Sequence, residues 1–293
     1  TGKDRNDVLD RQAHALADAT GWAYNRYPIE ACEWNHFICY IEFGERYSDW
    51  HKSKVSAWFT HYEPHIPYKA FWWELAANNV DLRLVTSRQY LQSLSEFGPT
   101  ALARPAIDPQ FTIGDQGKHD APRVGVAGYV HPGGRKGEKL LAMLAGSEYG
   151  QGLQLVASGS GWPVQCNEYQ WGDLPQFYNG LDVLLCTSTI EGVPMPPLEA
   201  LACGVKVVVP RGVGLLDDLP DVPGIVRYDA GDYEAMEAAV REAVGIQADR
   251  QALRQAVASY SADNWAADHR MALAGGVSGA QIESDRHGRR GVY

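Results

Sequence analysis

The stretch VLLCTSTIEGVPMPPLEALACGVKVVV, from Val183 to Val209, reads as strand, loop, helix and strand. Val183 to Leu185 and Val205 to Val209 are short aliphatic runs of the kind that form buried strands. Between them Leu198 to Cys203 reads as a helix, stopped by Gly204. Pro196 and Pro197 fit a first helical turn, where a missing N–H costs little. Glu191 and Glu199 lie eight positions apart across the turn, and Glu199, near the expected helix N-terminus, is expected to gain from the helix dipole.

The same alternation extends outward. From Arg123 onward, Val124 to Ala127 and Leu153 to Ala157 read as strands, with helices at Glu138 to Ala145, Leu174 to Asn179 and Tyr233 to Val244. Strand–helix–strand repetition of this kind predicts a parallel, doubly wound sheet. Before Arg123 an amphipathic helix is expected over Asp7 to Ala19, and strands over His36 to Phe43, Val55 to Thr60, Asp81 to Thr86 and Thr100 to Ala103. Helices are expected at Tyr68 to Asn78 and Arg88 to Phe97. Asp108 to Pro122 has Pro and Gly but little apolar periodicity and reads as a linker.

The expected division is a first Rossmann-like domain over 1–115, a second over 116–258, a helix over 259–274 crossing back to the first, and a flexible tail over 275–293. The chain opens at Thr1-Gly2-Lys3, directly at a glycine turn that in such domains follows an apolar strand, so residues upstream are expected and the first domain reads as short or truncated.

Composition narrows the function classes. With 45% hydrophobic and 21% charged residues the chain is an ordinary globular protein. A net charge of -10 opposes nucleic acid as a partner, since phosphate binding rests on Lys and Arg. No apolar run reaches the roughly 20 residues of a membrane helix, so a cytoplasmic location is expected and no transmembrane segment. The five cysteines form no C-x-x-C pair and read as reduced thiols; no metal site is expected. Oligomeric state is not legible.

A loop and helix N-terminus at the carboxyl end of a parallel strand offer backbone N–H groups to the oxygens of a diphosphate or a sugar. Glu191 would reach sugar hydroxyls, and Glu199, ionised, would accept hydrogen bonds from two ribose hydroxyls. The Glu191-to-Glu199 segment resembles the E-x7-E signature of retaining GT-B glycosyltransferases, most like family 4. The resemblance implies a GT-B fold with two Rossmann-like domains facing a cleft. It also implies a donor site in which Glu191 and the loop Gly192, Val193, Pro194 and Met195 contact the donor sugar while Glu199 holds the ribose.

Further segments extend the resemblance. Gly128 to Gly137 is similar to the family's loop after the first strand of the second domain, which implies that Arg135 and Lys136 supply cations to the diphosphate. The family usually has Arg after the glycine aligned with Gly128; this chain has Tyr129, which puts that cation in doubt unless Arg135 replaces it. Ala157 to Gly161, with Gly159, resembles a glycine turn beside the nucleotide, and Tyr169 to Gly172, with Trp171, a short strand near the base. Phe59-Thr60-His61 ends a strand as does the family's histidine near donor sugar and acceptor, with His65 competing for the role. Gly2 and Lys3 resemble the remnant of a first-domain glycine loop.

The reading that results is a retaining, metal-independent hexosyltransferase with no cofactor. Its donor would be a nucleotide-diphosphate sugar, UDP- or GDP-linked, and its acceptor a soluble saccharide or small metabolite. A nucleotide-sugar epimerase or hydrolase, or a non-catalytic nucleotide-sugar binding protein, stands as the alternative on the same fold.

Overall fold

The structure, a computed structural model, describes residues 8–130 and 133–275. The first half runs α1 (Val8–Thr20), β1 (Trp34–Phe37), α2 (Tyr40–Arg46), β2 (Lys54–Phe59), α3 (Pro67–Asn79), β3 (Leu82–Val85), α4 (Arg88–Leu94) and β4 (Thr100–Leu102). The second begins β5 (Arg123–Ala127), α5 (Glu138–Gly146), α6 (Glu148–Gln151), β6 (Gln154–Ser158), β7 (Gln165–Asn167), α7 (Leu174–Asn179), β8 (Val183–Leu185) and α8 (Met195–Ala202). It ends β9 (Lys206–Arg211), β10 (Ile225–Asp229), α9 (Tyr233–Gly245), α10 (Arg250–Ala256) and α11 (Ala262–Leu273).

Two wholly parallel sheets result, one ordered β1-β2-β3-β4 and the other β10-β9-β8-β5-β6-β7. The second order is that of a doubly wound dinucleotide-type sheet, whose topological switch point falls between β5 and β8. Parallel strands are covered on both faces, which is why they read as continuous apolar runs. On β2, Ala57 and Phe59 join Phe43 and Trp73 on one face, while Trp58 packs with Leu84 and Trp265 on the other. In the second sheet Leu184, Val207 and Val209 meet α8 and α10, while Val183, Leu185 and Val208 meet α5 and α9.

Two expectations are corrected, and one strand was not foreseen. His36 to Phe43 is not one strand: β1 ends at Phe37, and Cys39, still extended, leads into α2 at Tyr40. Tyr40, Phe43 and Gly44 are buried at helical spacing, so a short apolar run concealed a change of period. The strand expected at Tyr169 to Gly172 lies earlier, at β7, and Trp171 starts a single 3-10 turn over Trp171–Asp173. β10 went unread because it is a sheet edge carrying the polar Arg227 and Asp229. Gly2, Lys3 and the tail from residue 276 lie outside the described residues.

The two sheets are joined by more than the segment between β4 and β5. After α10 the chain returns across the first sheet as α11, which packs on α1 and β3. Trp265 is fully buried against Trp58, ring centroids 4.7 Å apart, and its indole N–H donates to the Gln12 carbonyl at 3.2 Å. Gln12 exchanges two 2.7 Å hydrogen bonds with the Ala106 backbone. Arg254 donates to the carbonyls of Phe111 and Ala202, and Arg250 to those of Gly114 and Cys203, so two guanidiniums satisfy the open end of α8 while holding the connecting segment against it.

Replacing Trp265 by Ala should cost about 3–5 kcal/mol in equilibrium urea unfolding, the range for deleting a buried aromatic. A loss below about 1 kcal/mol would mean that α11 does not anchor the first sheet.

Candidate functional site

At a switch point the loops leaving the two neighbouring strands diverge and leave a crevice between them. Here those loops follow β5 and β8. Gly128 leaves β5 at φ +110°, and Gly159 leaves β6 at φ +110° where a Cβ would stand 2.1 Å from the Gly128 carbonyl oxygen, so only glycine permits the two turns to touch. Tyr129, next in the chain, is 58% exposed.

The loops after β5 and β8 are tied to each other. The Thr187 hydroxyl donates to the Lys136 carbonyl at 2.5 Å, and the Thr189 N–H to the Arg135 carbonyl at 2.8 Å. Their charged groups meet on Glu191, whose residue is only 8% exposed. Lys136 Nζ and Ser188 Oγ both donate to its Oε1, at 2.5 and 2.6 Å, and Arg135 Nη1 lies 4.0 Å from its Oε2. Arg135 also donates to the Ile190 carbonyl at 3.2 Å. Two cations and a hydroxyl thus offset the cost of burying this carboxylate.

The loop continues into contact with the first sheet. A Cβ on Gly192 would stand 2.4 Å from His61 Nδ1 and 2.7 Å from Thr60 Cβ, so the absence of a side chain lets the end of β2 reach the loop. His61 Nδ1 lies 3.1 Å from Thr60 Oγ1, and Nε2 lies 3.0 Å from Oε2 of the buried Glu63, which is also paired with Lys69. Burial, opposed by Glu63 and assisted by Arg135, pushes the His61 imidazole below its ordinary pKa. His65 is exposed on the turn before α3.

Backbone donors are fewer than the sequence suggested. Pro194, Pro196 and Pro197 have no N–H, and that of Met195 goes to the Val193 carbonyl at 2.8 Å. Gly192 and Val193 carry the amides through which this loop can meet a ligand.

Glu199 occupies a second depression, lined by Val8, Arg11, Gln12, Asp108, Trp171 and Met195. Because α8 begins at Met195, Glu199 sits in the second turn, not the first, and burial outweighs the dipole. It is 3% exposed, and its Oε2 accepts from the Tyr178 hydroxyl at 2.6 Å. Burial raises its pKa to about 7 against the opposing pull of Tyr178 and Arg11, so the carboxylate expected to be ionised is half protonated near neutrality. The Arg11 guanidinium stacks 3.7 Å from the Trp171 ring centroid at the mouth.

Sequence reasoning overlooked Ser188, Glu63, Lys69, Arg11 and Tyr178. Ser188, three residues before Glu191, and Glu63, two after His61, were close enough to be considered; the others are brought in only by tertiary packing. Among the described residues no helix is long and apolar enough to cross a membrane.

Residues 134–245 match the family model "Glycosyl transferases group 1", a span that contains Arg135, Lys136, Glu191 and Glu199. The chain is similar in structure to the apo lipopolysaccharide outer core galactosyltransferase WaaB, with a TM-score of 0.67 at 16% identity, over 90% of this chain and 80% of that one. Sucrose-phosphate synthase from Thermosynechococcus elongatus aligns at TM-score 0.63 and 17% identity, over 94% and 79% of the two chains. HepE from Anabaena, solved with UDP and glucose, aligns at 0.66 and 13%, over 84% and 78%. No curated protein matches the sequence. The fold is that of the GT-B glycosyltransferases.

A carboxyl whose folded pKa lies above its unfolded value stabilises the fold below the unfolded pKa and loses that contribution as pH rises through the folded one. For Glu199 the window runs from the model carboxyl value of 4.5 to about 7. Glu199→Gln should therefore be more stable than wild type at pH 8, by on the order of 3 kcal/mol at most, with the difference closing toward pH 5 in urea unfolding. A difference independent of pH would contradict the burial argument.

Proposed function

We propose that the chain is a retaining glycosyltransferase that moves a hexose-type sugar from a nucleotide-diphosphate sugar to a soluble acceptor, a saccharide or small metabolite. The observation that carries this reading is the meeting, at the switch point, of two cations, a buried carboxylate and the His61 end of the opposite sheet within one crevice. A phosphate-bearing leaving group, a polyhydroxylated ring and a nucleophile arriving from the other sheet require those three kinds of group.

In this reading the diphosphate lies against Gly128, Gly159, Arg135 and Lys136. Lys136 already neutralises Glu191, so a bound diphosphate would share its ammonium, and the shared charge strengthens as the glycosidic bond breaks and the phosphate oxygen becomes more negative. These cations do the work that a divalent metal does in other sugar transferases. Glu191 and the amides of Gly192 and Val193 take sugar hydroxyls, with His61 on the opposite side of the ring. Glu199 takes the ribose hydroxyls, and Trp171 stands near the base. Retention follows if the acceptor attacks from the face that the diphosphate leaves, the departing phosphate taking the acceptor's proton. The UDP and UDP-glucose bound by the structurally similar HepE favour UDP over GDP as the first nucleotide to try.

Calorimetric titration with UDP, GDP and ADP and their glucose conjugates tests the donor site. Selective binding that Glu199→Ala weakens is the expected result, and binding to none of them contradicts the reading. In turnover assays Glu191→Ala should lower kcat more than affinity. Lys136→Ala should reduce both, with kcat down about 10²–10³-fold, the range for removing one group that stabilises developing negative charge. Unchanged kinetics in both variants would remove these residues from the site.

A further inference from the structure

Glu63 is 1% exposed, an unusual place for a carboxylate, and the proposed reaction gives it no direct task. Its Oε2 has two partners, His61 Nε2 at 3.0 Å and the Lys69 ammonium from the first turn of α3. An ionised carboxylate only accepts hydrogen bonds, so Nε2 must carry the proton. A neutral imidazole has one N–H, which leaves Nδ1 with a lone pair. Nδ1 lies 3.1 Å from the Thr60 hydroxyl, which can donate to it, and it is the ring atom nearest to Gly192.

Burial keeps the ring neutral. Burial is the largest influence and disfavours a second proton; Glu63 would draw one onto His61, and Arg135 on the loop after β5 and Lys69 on α3 oppose Glu63. The Tyr40 hydroxyl donates to the His61 carbonyl at 3.2 Å, not to the ring.

We infer that Glu63, neutralised by Lys69, is a positioning residue that holds His61 in the Nε2–H tautomer and thereby makes Nδ1 a hydrogen-bond acceptor for a hydroxyl of the donor sugar at the Gly192 loop. The inference rests on the glycosyl-transfer reading for the identity of that hydroxyl, but not for the tautomer. The sugar hydroxyl would take the place of the hydroxyl of the buried Thr60 on the single Nδ1 lone pair. His61 in the opposite tautomer would present an N–H there and could still donate to a sugar oxygen. The lock therefore fixes the direction of the bond.

Long-range proton–nitrogen correlation spectra of the histidine rings, with His61 assigned by its loss in His61→Ala, test the inference directly. In the wild-type protein at pH 7–8 the His61 ring should show a protonated Nε2 and an unprotonated Nδ1. Glu63→Gln, whose amide can accept or donate, should give a mixture of tautomers and lower kcat/KM by about tenfold or more, with KM for the donor less affected than kcat. Lys69→Met, a second variant that keeps Glu63, should retain the tautomer and raise the pH at which the ring gains its second proton. A protonated Nδ1 in the wild type, an unchanged single tautomer in Glu63→Gln, or full turnover by a Glu63→Gln enzyme with mixed tautomers would each overturn the inference. None of these results bears on whether the nucleotide binds at Glu199, which donor titration reads independently.

Discussion

The buried carboxylate of Glu191 is the constraint around which the rest of the molecule is arranged. An uncompensated charge in that position would be strongly destabilising, and breaking a buried pair by removing one partner typically costs about 3–5 kcal/mol. Lys136 and Arg135 must therefore come to it, and they lie on a loop more than fifty residues earlier in the chain. The bonds from the Thr187 hydroxyl and the Thr189 N–H to the backbone of the earlier loop hold the two loops in register so that this can happen. The ion pair is also an arrangement that an anionic ligand can enter: the cations are gathered in advance, and a diphosphate would find them oriented.

The first sheet contributes through close approach. Gly192 brings the Glu191 loop against His61, and the position of His61 depends on how the two sheets are held. That hold comes from α11 with Trp265 on Trp58, from Gln12 on Ala106, and from the Arg104–Asp268 ion pair with its 3.4 Å contact. The cluster of Trp58 and Trp265 also reaches the loop itself, since Val193 packs against it. Arg11 on α1 connects the two roles, since the helix that packs on α11 also places a guanidinium over Trp171 beside Glu199.

Much of this was legible in the sequence. Aliphatic runs alternating with helical periodicity specified the central strands β5, β6, β8 and β9 of the second sheet to within about two residues, because a strand buried on both faces has little choice of composition, while the outer β7 and β10 escaped. The spacing of Glu191 and Glu199 around a proline-rich turn pointed to the loop after β8, although the two carboxylates line separate depressions. What else escaped was of two kinds. The apolar run from His36 to Phe43 changes period partway, and eight residues are too few to distinguish a strand that ends from one that becomes a helix. The partners of the candidate residues escaped because pairing is tertiary: nothing in the neighbourhood of Lys136 says that its ammonium rests on Glu191, and nothing near Glu199 says that burial will lift its pKa to about 7. The prolines of the loop were legible and still misjudged; the fit of Pro196 and Pro197 to a helix start was noted, but not the removal of backbone donors by these two and Pro194.

A crystal structure of the protein with UDP-glucose tests the central claim most directly. The account predicts the diphosphate on Lys136 and the Gly128 turn, the ribose on Glu199, and the glucose ring between Gly192 and the Nδ1 face of His61, with the Lys136–Glu191 contact now shared with a phosphate oxygen. UDP-glucose bound elsewhere on the molecule, or a bound diphosphate that leaves Lys136 and Arg135 out of contact, would contradict it.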